Sequence, residues 1–271
     1  MHHFKPCFIE ATTIDDCWFQ LLTKTYNNGR SYIKSSGSRQ GMKMYAFDFV
    51  SCFIHYPHTR PLAPIMPEGI PPVTTDEKIE QYFVDYLMNN KLSKNEHYRY
   101  STWINGSRIE DYNKPHNVCH TDQLSAIINH FQIHGYGNDH CYLTVCNPDS
   151  ILGYNIEYMY CNKCDKYYAR TKDNKCKECG TELILDEALR PTSPCLRGLD
   201  FRIVDGYLTT NVIFRANDLW AWPENIGGIT MLNEYISEHL DGVEPGPISY
   251  SCKSLHCPED MFGVLELRIG K

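Results

Sequence analysis

Two cysteine pairs of identical spacing constrain the fold of this chain more than any other sequence feature. The first pair is Cys161 and Cys164, and the second pair is Cys176 and Cys179. The two residues between the members of each pair allow four thiolates to converge on one tetrahedral Zn²⁺ ion. Because all four positions are cysteine, the ion would have no open coordination position for catalysis. The spacing predicts a structural zinc ribbon inserted at residues 158–183, with a redox dithiol pair as the alternative.

The composition is typical of a globular protein. The chain has 271 residues, of which 42% are hydrophobic and 22% are charged, so we expect a single domain over 1–271 that carries the ribbon as an insertion. The net charge of −7 argues against a nonspecific nucleic-acid or membrane-surface binder. No stretch of the sequence reaches the run of about 18 apolar residues that would predict a membrane span. The N-terminus lacks the apolar region of a signal peptide. The chain has thirteen cysteines, and an odd number cannot all pair in disulfides. We therefore expect reduced thiols and a cytoplasmic location.

Hydrophobic patterns predict strands and helices in mixed order. The predicted strands are 46–54, 141–146, 199–204, 207–215 and 264–269, and the predicted helices are 74–87, 122–131 and 226–240. We expect strand 46–54 to be covered on both faces, and we expect Thr74 and Glu77 to form a capping box. Asp205-Gly206 predicts a tight hairpin, because a type I′ turn needs positive φ at both central residues. The mixed order predicts an α+β fold or an α/β fold with a mixed sheet.

Cys195 is the candidate nucleophile. It follows Pro194 shortly before the predicted hairpin, with Arg197 and Arg202 nearby in the sequence. A thiolate is a strong nucleophile, and cationic neighbours favour it over the thiol. An isolated cysteine is more often a small buried hydrophobe, so the prediction depends on the motifs around it.

From Pro194 onward the chain resembles the thymidylate synthase family, which includes pyrimidine-nucleotide hydroxymethylases. Four motifs follow in order: Pro194-Cys195, Phe214-Arg215-Ala216-Asn217-Asp218, Asn225-Ile226 and Ser254-Leu255-His256. Three looser matches precede them: Ser38-Arg39-Gln40-Gly41, Asp122-Gln123-Leu124 and the strand that ends in Asn147-Pro148. The resemblance spans nearly the whole chain. It implies a mixed β-sheet with flanking helices, in a divergent archaeal-like or phage-like branch with the ribbon inserted.

The resemblance implies a folate-dependent transfer of one carbon to C5 of a uracil nucleotide such as dUMP. Cys195 would add to C6, and the resulting enolate would attack the methylene carbon of 5,10-methylenetetrahydrofolate. Asn225 would read the N3–H and O4 edge, since an amide both donates and accepts. The remaining nucleotide contacts would come from Arg39 and Arg215 at the 5′-phosphate, Asp218 at the base or its water, and His256 at a sugar hydroxyl.

The chemistry also needs a general acid–base carboxylate, which the family places on an early helix. Glu80 is the predicted residue, and Glu77 and Asp85 are its rivals. The alternative for Glu80 is a solvated helix carboxylate. Tyr82 would contact the folate, although Tyr82 and Tyr86 also suit an ordinary core.

The chain departs from the family where the partner subunit usually supplies two arginines to the phosphate. The stretch 137–140 reads Gly-Asn-Asp-His, and the Asp139 carboxylate would repel a phosphate. Either other cations such as Arg60 or Arg197 serve, or the nucleotide is held differently, or the substrate is not a simple monophosphate. Pro258 replaces an expected sugar-contacting tyrosine, which leaves the choice between ribose and deoxyribose open.

We expect a methyltransferase that gives the 5-methyl product, because that activity is the commoner one in the family. The first alternative is a 5-hydroxymethylase of dUMP or of a (d)CMP-type nucleotide. The second is a non-catalytic scaffold whose ribbon binds nucleic acid or protein. The family resemblance further implies a homodimer in which the sheet packs against a second copy.

Overall fold

The helices and strands form a mixed α+β fold, as the sequence predicts. The computed structural model describes residues 4–35, 39–89, 91, 98–106, 121–146, 158–169, 172–184 and 193–268. The strands are β1 Pro6–Ala11, β2 Arg30–Ile33, β3 Lys43–Phe47, β4 Phe49–Ile54, β5 Cys141–Thr144, β6 Tyr158–Cys161, β7 Lys166–Ala169, β8 Leu196–Val204, β9 Tyr207–Phe214, β10 Asn217–Asp218, β11 Glu244–Cys252 and β12 Leu255–Pro258. The helices are α1 Ile14–Asn28, α2 Asp76–Tyr82, α3 Ser101–Ile104, α4 Gln123–His134, α5 Trp222–Glu238 and α6 Phe262–Arg268.

A six-stranded mixed sheet forms the centre of the fold, in the order β1-β4-β11-β9-β8-β5. The pairs β1–β4 and β11–β9 are parallel, while β4–β11, β9–β8 and β8–β5 are antiparallel. Helices α1 and α5 pack against one face of this sheet, where Trp18, Trp222 and Tyr250 are fully buried. A second sheet has the order β10-β12-β3-β2. Among the described helices, none has the length and apolar composition that a membrane-spanning segment needs.

The predicted strand 46–54 is in fact two strands in two different sheets. The break is at Asp48, whose carboxylate accepts hydrogen bonds from the Lys5 backbone N–H at 3.1 Å and from Arg30 Nη2 at 2.8 Å. The expectation that both faces are covered is also wrong, because Phe49 and Phe53 of β4 are 43% and 39% exposed. The six-stranded sheet therefore has one covered face and one open face.

The start of α2 lies one residue later than the predicted capping box. Thr75, not Thr74, is the N-cap, and its Oγ1 accepts the Lys78 backbone N–H at 3.4 Å. The helix continues beyond Tyr82 as a π-helical turn over Phe83–Met88. The buried Thr74 hydroxyl is thereby free to donate to Glu224 on α5 at 2.8 Å.

The predicted last strand, 264–269, is wrong, because these residues belong to α6 as far as the chain is described. Phe262 and Leu265 are buried, and their spacing of three suits one face of a helix. The hairpin prediction is confirmed, because Asp205 and Gly206 have φ values of 51° and 82° between β8 and β9.

The cysteine-rich segment has a small core of its own. Strands β6 and β7 pair antiparallel, and Met159 and Leu183 are buried together with Cys161 and Cys176. This cluster is separate from the large core of the sheets and helices. The boundaries of the insertion stay a prediction.

Two glycines allow α2 and α5 to approach closely. A Cβ at Gly227 would lie 2.7 Å from Cγ2 of Ile79, and a Cβ at Gly228 would lie 2.5 Å from Cδ1 of Tyr82. Such distances are well inside van der Waals contact. The close approach brings Tyr82 within hydrogen-bond distance of Asn225 on α5.

We expect Gly228→Ala to destabilise the protein although alanine is the better helix former. Overpacking against the Tyr82 ring costs about 1–3 kcal/mol, while alanine adds about 1 kcal/mol of helix propensity. Gly263→Ala in α6 is the matched control, because its Cβ would meet no atom within 4 Å. In urea unfolding, Gly228→Ala should be less stable than Gly263→Ala by about 1–3 kcal/mol. Equal stability of the two variants would contradict the close packing.

Candidate active site

The pairing of β8 with β9 brings Cys195 and Arg215 together. Leu196 of β8 is opposite Phe214 of β9, so Cys195 precedes one strand where Arg215 follows the other. The Arg215 backbone N–H donates to the Cys195 carbonyl oxygen at 2.9 Å. Cys195 is half-buried.

The Arg215 guanidinium fixes the segment that carries Cys195. Its Nη2 donates to the Ser193 carbonyl oxygen at 2.6 Å, and its Nε lies 3.1 Å from the Pro194 carbonyl oxygen. Hydrogen bonds from a charged donor contribute more than neutral ones, about 1.5–3 kcal/mol each. The guanidinium therefore orients the backbone on which the thiol is carried.

Asp218, His256 and Arg39 form a second group. Strands β10 and β12 pair with Asp218 opposite His256, and Arg39 Nη1 is 2.5 Å from Asp218 Oδ2. The other Asp218 oxygen accepts the Trp220 backbone N–H at 2.9 Å. Burial lowers the pKa of His256 below its usual value, so its neutral ring can donate from one nitrogen and accept at the other.

Asn225 lies in a chain of side-chain hydrogen bonds. It is only 9% exposed, its Oδ1 accepts from the Tyr82 hydroxyl at 2.8 Å, and its Nδ2 donates to Asn217 Oδ1 at 3.0 Å. A primary amide has two donors and two acceptor lone pairs. One N–H and one lone pair therefore remain available, which matches the O4 and N3–H edge of a uracil ring.

A cavity of about 450 Å³ opens between α2, its π-helical turn and the start of α5. Its lining includes Glu77, Tyr82, Asp85, Tyr86, Arg99 and Glu224. The rings of Tyr82 and Tyr86 are stacked, with centroids 5.3 Å apart and an interplanar angle of 16°. Three carboxylates and a stacked aromatic pair thus share one concave surface.

Tyr82 connects this cavity to the nucleophile. Burial raises the pKa of Tyr82 and of Tyr100, and the nearby Cys195 adds to the effect on both. The Tyr100 hydroxyl oxygen accepts the Leu196 backbone N–H at 3.4 Å. Since the Tyr82 hydroxyl stays protonated, it remains a donor to Asn225.

The predicted acid–base residue, Glu80, is on the exposed face of α2 and does not line the cavity. Its rivals Glu77 and Asp85 do line it, as does Glu224, which the sequence reasoning missed. The sequence feature that could have identified Glu224 as a site residue is its position directly before Asn225.

The two other predicted phosphate cations differ in their contacts. Arg60 binds both carboxylate oxygens of Glu234, at 2.9 and 2.8 Å. Arg197 is half-buried, and its Nη1 has no hydrogen-bond partner among the described residues. Asp139, which would repel a phosphate, pairs with exposed Arg202 at 3.2 Å. Ser38 and Asn147-Pro148, which belong to the looser motifs, lie outside the described residues.

The four cysteines of the ribbon meet at one point. Their sulfurs all lie within 4.8 Å of one another, with 3.5 Å between Cys161 and Cys179 and 3.9 Å between Cys164 and Cys176. Tetrahedral coordination with Zn–S bonds of about 2.3 Å needs sulfurs about 3.8 Å apart. The cluster can therefore hold a metal ion.

A half-buried cysteine on backbone held by a guanidinium suits nucleophilic attack, and the Asn225 amide can read the edge of a heterocycle. No family model matches the chain. Relatives from Methanosarcina acetivorans and Methanosarcina barkeri, each named "Putative thymidylate synthase", are 23% identical over 261 residues, or 95% of this chain and 92% of each relative. One of the same name from Methanothermobacter thermautotrophicus is 36% identical over 70 residues, or 26% of this chain and 31% of the relative. These distant relatives support a thymidylate synthase-like family and a transferase activity.

Proposed function

We propose that the protein is a folate-dependent transferase that adds one carbon to C5 of a uracil nucleotide such as dUMP and gives a 5-methyl product. The observation that carries this proposal is the half-buried Cys195 on backbone that the Arg215 guanidinium holds. The Tyr82 that donates to Asn225 is near enough for the Cys195 charge to act on it. The distant relatives named for thymidylate synthase point the same way.

Cys195 is the proposed nucleophile. Its sulfur adds to C6 of the pyrimidine, and the electrons of the C5–C6 double bond move towards O4, which makes C5 a carbon nucleophile. Asn225 holds the ring edge through its remaining N–H and lone pair. Arg215 holds the backbone that presents this sulfur to the ring.

The phosphate and the sugar would be bound by the second group of residues. Arg39 and Arg215 supply the positive charge for the 5′-phosphate, and Arg39 would exchange its Asp218 partner for a phosphate oxygen. His256 would hydrogen-bond a sugar hydroxyl. Asp218 would then be free to orient the base or a water molecule.

The cavity suits the folate. The stacked rings of Tyr82 and Tyr86 offer an aromatic surface to a flat heterocycle, and the volume of about 450 Å³ is of the size that small-molecule sites have. When bound, 5,10-methylenetetrahydrofolate supplies the one-carbon unit and, for a methyl product, the hydride. Attack by water on the one-carbon unit at C5, in place of the hydride, would give the 5-hydroxymethyl product.

We predict that Cys195→Ser abolishes tritium release from C5-labelled dUMP in the presence of the folate, because a serine hydroxyl is a far weaker nucleophile than a thiolate. Cys146→Ser is the matched control, since Cys146 is also half-buried and outside the ribbon. Labelled dCMP, UMP and CMP are tested in parallel, and product analysis separates methyl from hydroxymethyl. Undiminished release by Cys195→Ser would overturn the proposal; no release from any nucleotide by the wild type would favour the binding scaffold.

We further propose that the ribbon cysteines bind a structural Zn²⁺ ion. Elemental analysis should find about one zinc per chain, as one closed four-thiolate site requires. Cys164→Ser should lose the metal and expose 158–184 to proteolysis, because metal binding and folding of such a module are coupled. Cys146→Ser should keep the zinc. A metal-free wild type with a protease-resistant ribbon would contradict the proposal.

The open face of the six-stranded sheet supports a homodimer as the assembly. Phe8 is 64% exposed there and contacts Phe49 across the strand pair, with ring centroids 6.1 Å apart. Exposed aromatic residues on a sheet face are typical of an interface. We propose that a second copy of the chain covers this face.

Light scattering should give twice the chain mass of 31.4 kDa for the wild type. The double variant Phe49→Asp and Phe53→Asp should dissociate, because two carboxylates would be desolvated at the interface. Ile133→Asp on α4 is the control, since this side chain is 75% exposed on a helix outside the sheet. A dimeric double variant would contradict assembly through this face.

A further inference from the structure

Three histidines gather between α4 and the segment that precedes β5. His130 and His134 are one helical turn apart on α4, and their ring centroids are 4.6 Å apart. His140 lies directly before β5, and its ring centroid is 6.2 Å from that of His130. The half-buried His130 is thus the shared neighbour of two exposed imidazoles.

One nitrogen of the His130 ring is buried and unpaired. Its Nε2 is shielded from solvent and has no hydrogen-bond partner in the part of the chain that the structure describes. Buried polar atoms of native proteins are normally paired with protein groups, with water or with an ion. An ion bound to the three rings would give this nitrogen the partner that the described residues do not supply.

A cavity of about 220 Å³ lies beside these rings, and His130 and His140 are both in its wall. The Gln123 side chain in the same wall is fully engaged, because its amide donates to two backbone carbonyl oxygens and accepts one backbone N–H. The Cys141 thiol donates to a neighbouring amide oxygen at 3.6 Å. The imidazoles are therefore the strongest candidates in this cavity for binding an ion.

The spacing of the rings suits histidine ligands of one metal ion. With metal–nitrogen bonds of about 2.0–2.1 Å, the ring centroids of two histidines on one tetrahedral ion lie about 5 Å apart. The 4.6 Å between His130 and His134 is close to this separation. The 6.2 Å between His130 and His140 is about 1 Å longer. Because the His140 side chain is exposed, rotation about its side-chain bonds can close this difference.

We propose that His130, His134 and His140 bind a divalent transition-metal ion of the Zn²⁺ type. Imidazole nitrogen suits Zn²⁺, Ni²⁺ and Cu²⁺, whereas Mg²⁺ and Ca²⁺ prefer oxygen ligands. The ion joins α4 to the segment before β5, which is an edge strand of the six-stranded sheet. This site is separate from the four-cysteine ribbon, and it does not depend on the transferase function proposed above.

The test is equilibrium dialysis of the full chain against radioactive Zn²⁺ at micromolar free concentration, which counts the ions bound per chain. His130→Ala, His134→Ala and His140→Ala should each bind one ion fewer than the wild type. Their affinity for that ion should fall at least about tenfold, since even residues that only support a metal ligand cost 10–100-fold when changed. His239→Ala is the matched control, because His239 is an exposed histidine at the end of α5, and it should bind as many ions as the wild type.

A second measurement separates this site from the ribbon. Cys164→Ser should lose the ribbon's ion and keep the histidine-bound one, and the double variant Cys164→Ser and His134→Ala should bind neither. Because the ion binds the folded chain, Zn²⁺ should raise the thermal unfolding temperature of Cys164→Ser more than that of the double variant. Mg²⁺ should raise neither.

Equal zinc binding by the wild type and His130→Ala would overturn the proposal, as would binding to the Cys164→Ser chain only at millimolar Zn²⁺. A Cys164→Ser chain without any zinc would assign every bound ion to the ribbon and would overturn it too. If circular dichroism shows that His130→Ala does not fold, His134→Ala decides by the same comparison. That side chain is exposed, and substitutions at such positions rarely unfold a protein.

Discussion

Arg215 makes the contacts on which the rest of the site depends. Its guanidinium donates to the carbonyl oxygens of Ser193 and Pro194, and its backbone N–H donates to the carbonyl oxygen of Cys195. These contacts join the end of β9 to the segment before β8, so the thiol is held on rigid backbone rather than on a free loop. One residue thus fixes the backbone that carries the nucleophile.

The second constraint is the close contact of α2 with α5. Without a side chain at Gly227 and Gly228, the two helices approach until Tyr82 reaches Asn225. The same approach creates the cavity whose wall carries Glu224. In the proposed function, nucleotide reading by Asn225 and folate stacking on Tyr82 both depend on this one helix contact.

Features set by neighbouring residues could be predicted from the sequence. The Asp205-Gly206 turn requires positive φ locally, and the paired cysteines converge because of their own spacing. The break at Asp48 could not be predicted in this way, because its partner Lys5 is 43 residues distant. The short apolar run 264–269 fits a strand or a helix equally well, and only packing of Leu265 into the core selects the helix.

The same reasoning explains the difference between Glu80 and Glu224. An early-helix carboxylate was expected, yet Ile79 takes the buried face of α2 and leaves Glu80 towards solvent. Glu224 approaches the same helix from α5 and meets Thr74 across 150 residues of sequence. Only the folded arrangement shows this contact.

The most direct test of the central claim is mass spectrometry of the protein after incubation with 5-fluoro-dUMP and 5,10-methylenetetrahydrofolate. A fluorine at C5 cannot leave as the hydrogen does, so the adduct is trapped on the attacking sulfur. We expect one nucleotide and one intact folate per chain, both on the peptide that contains Cys195. Attachment to another cysteine, or an unmodified chain under conditions in which dUMP turns over, would contradict the account.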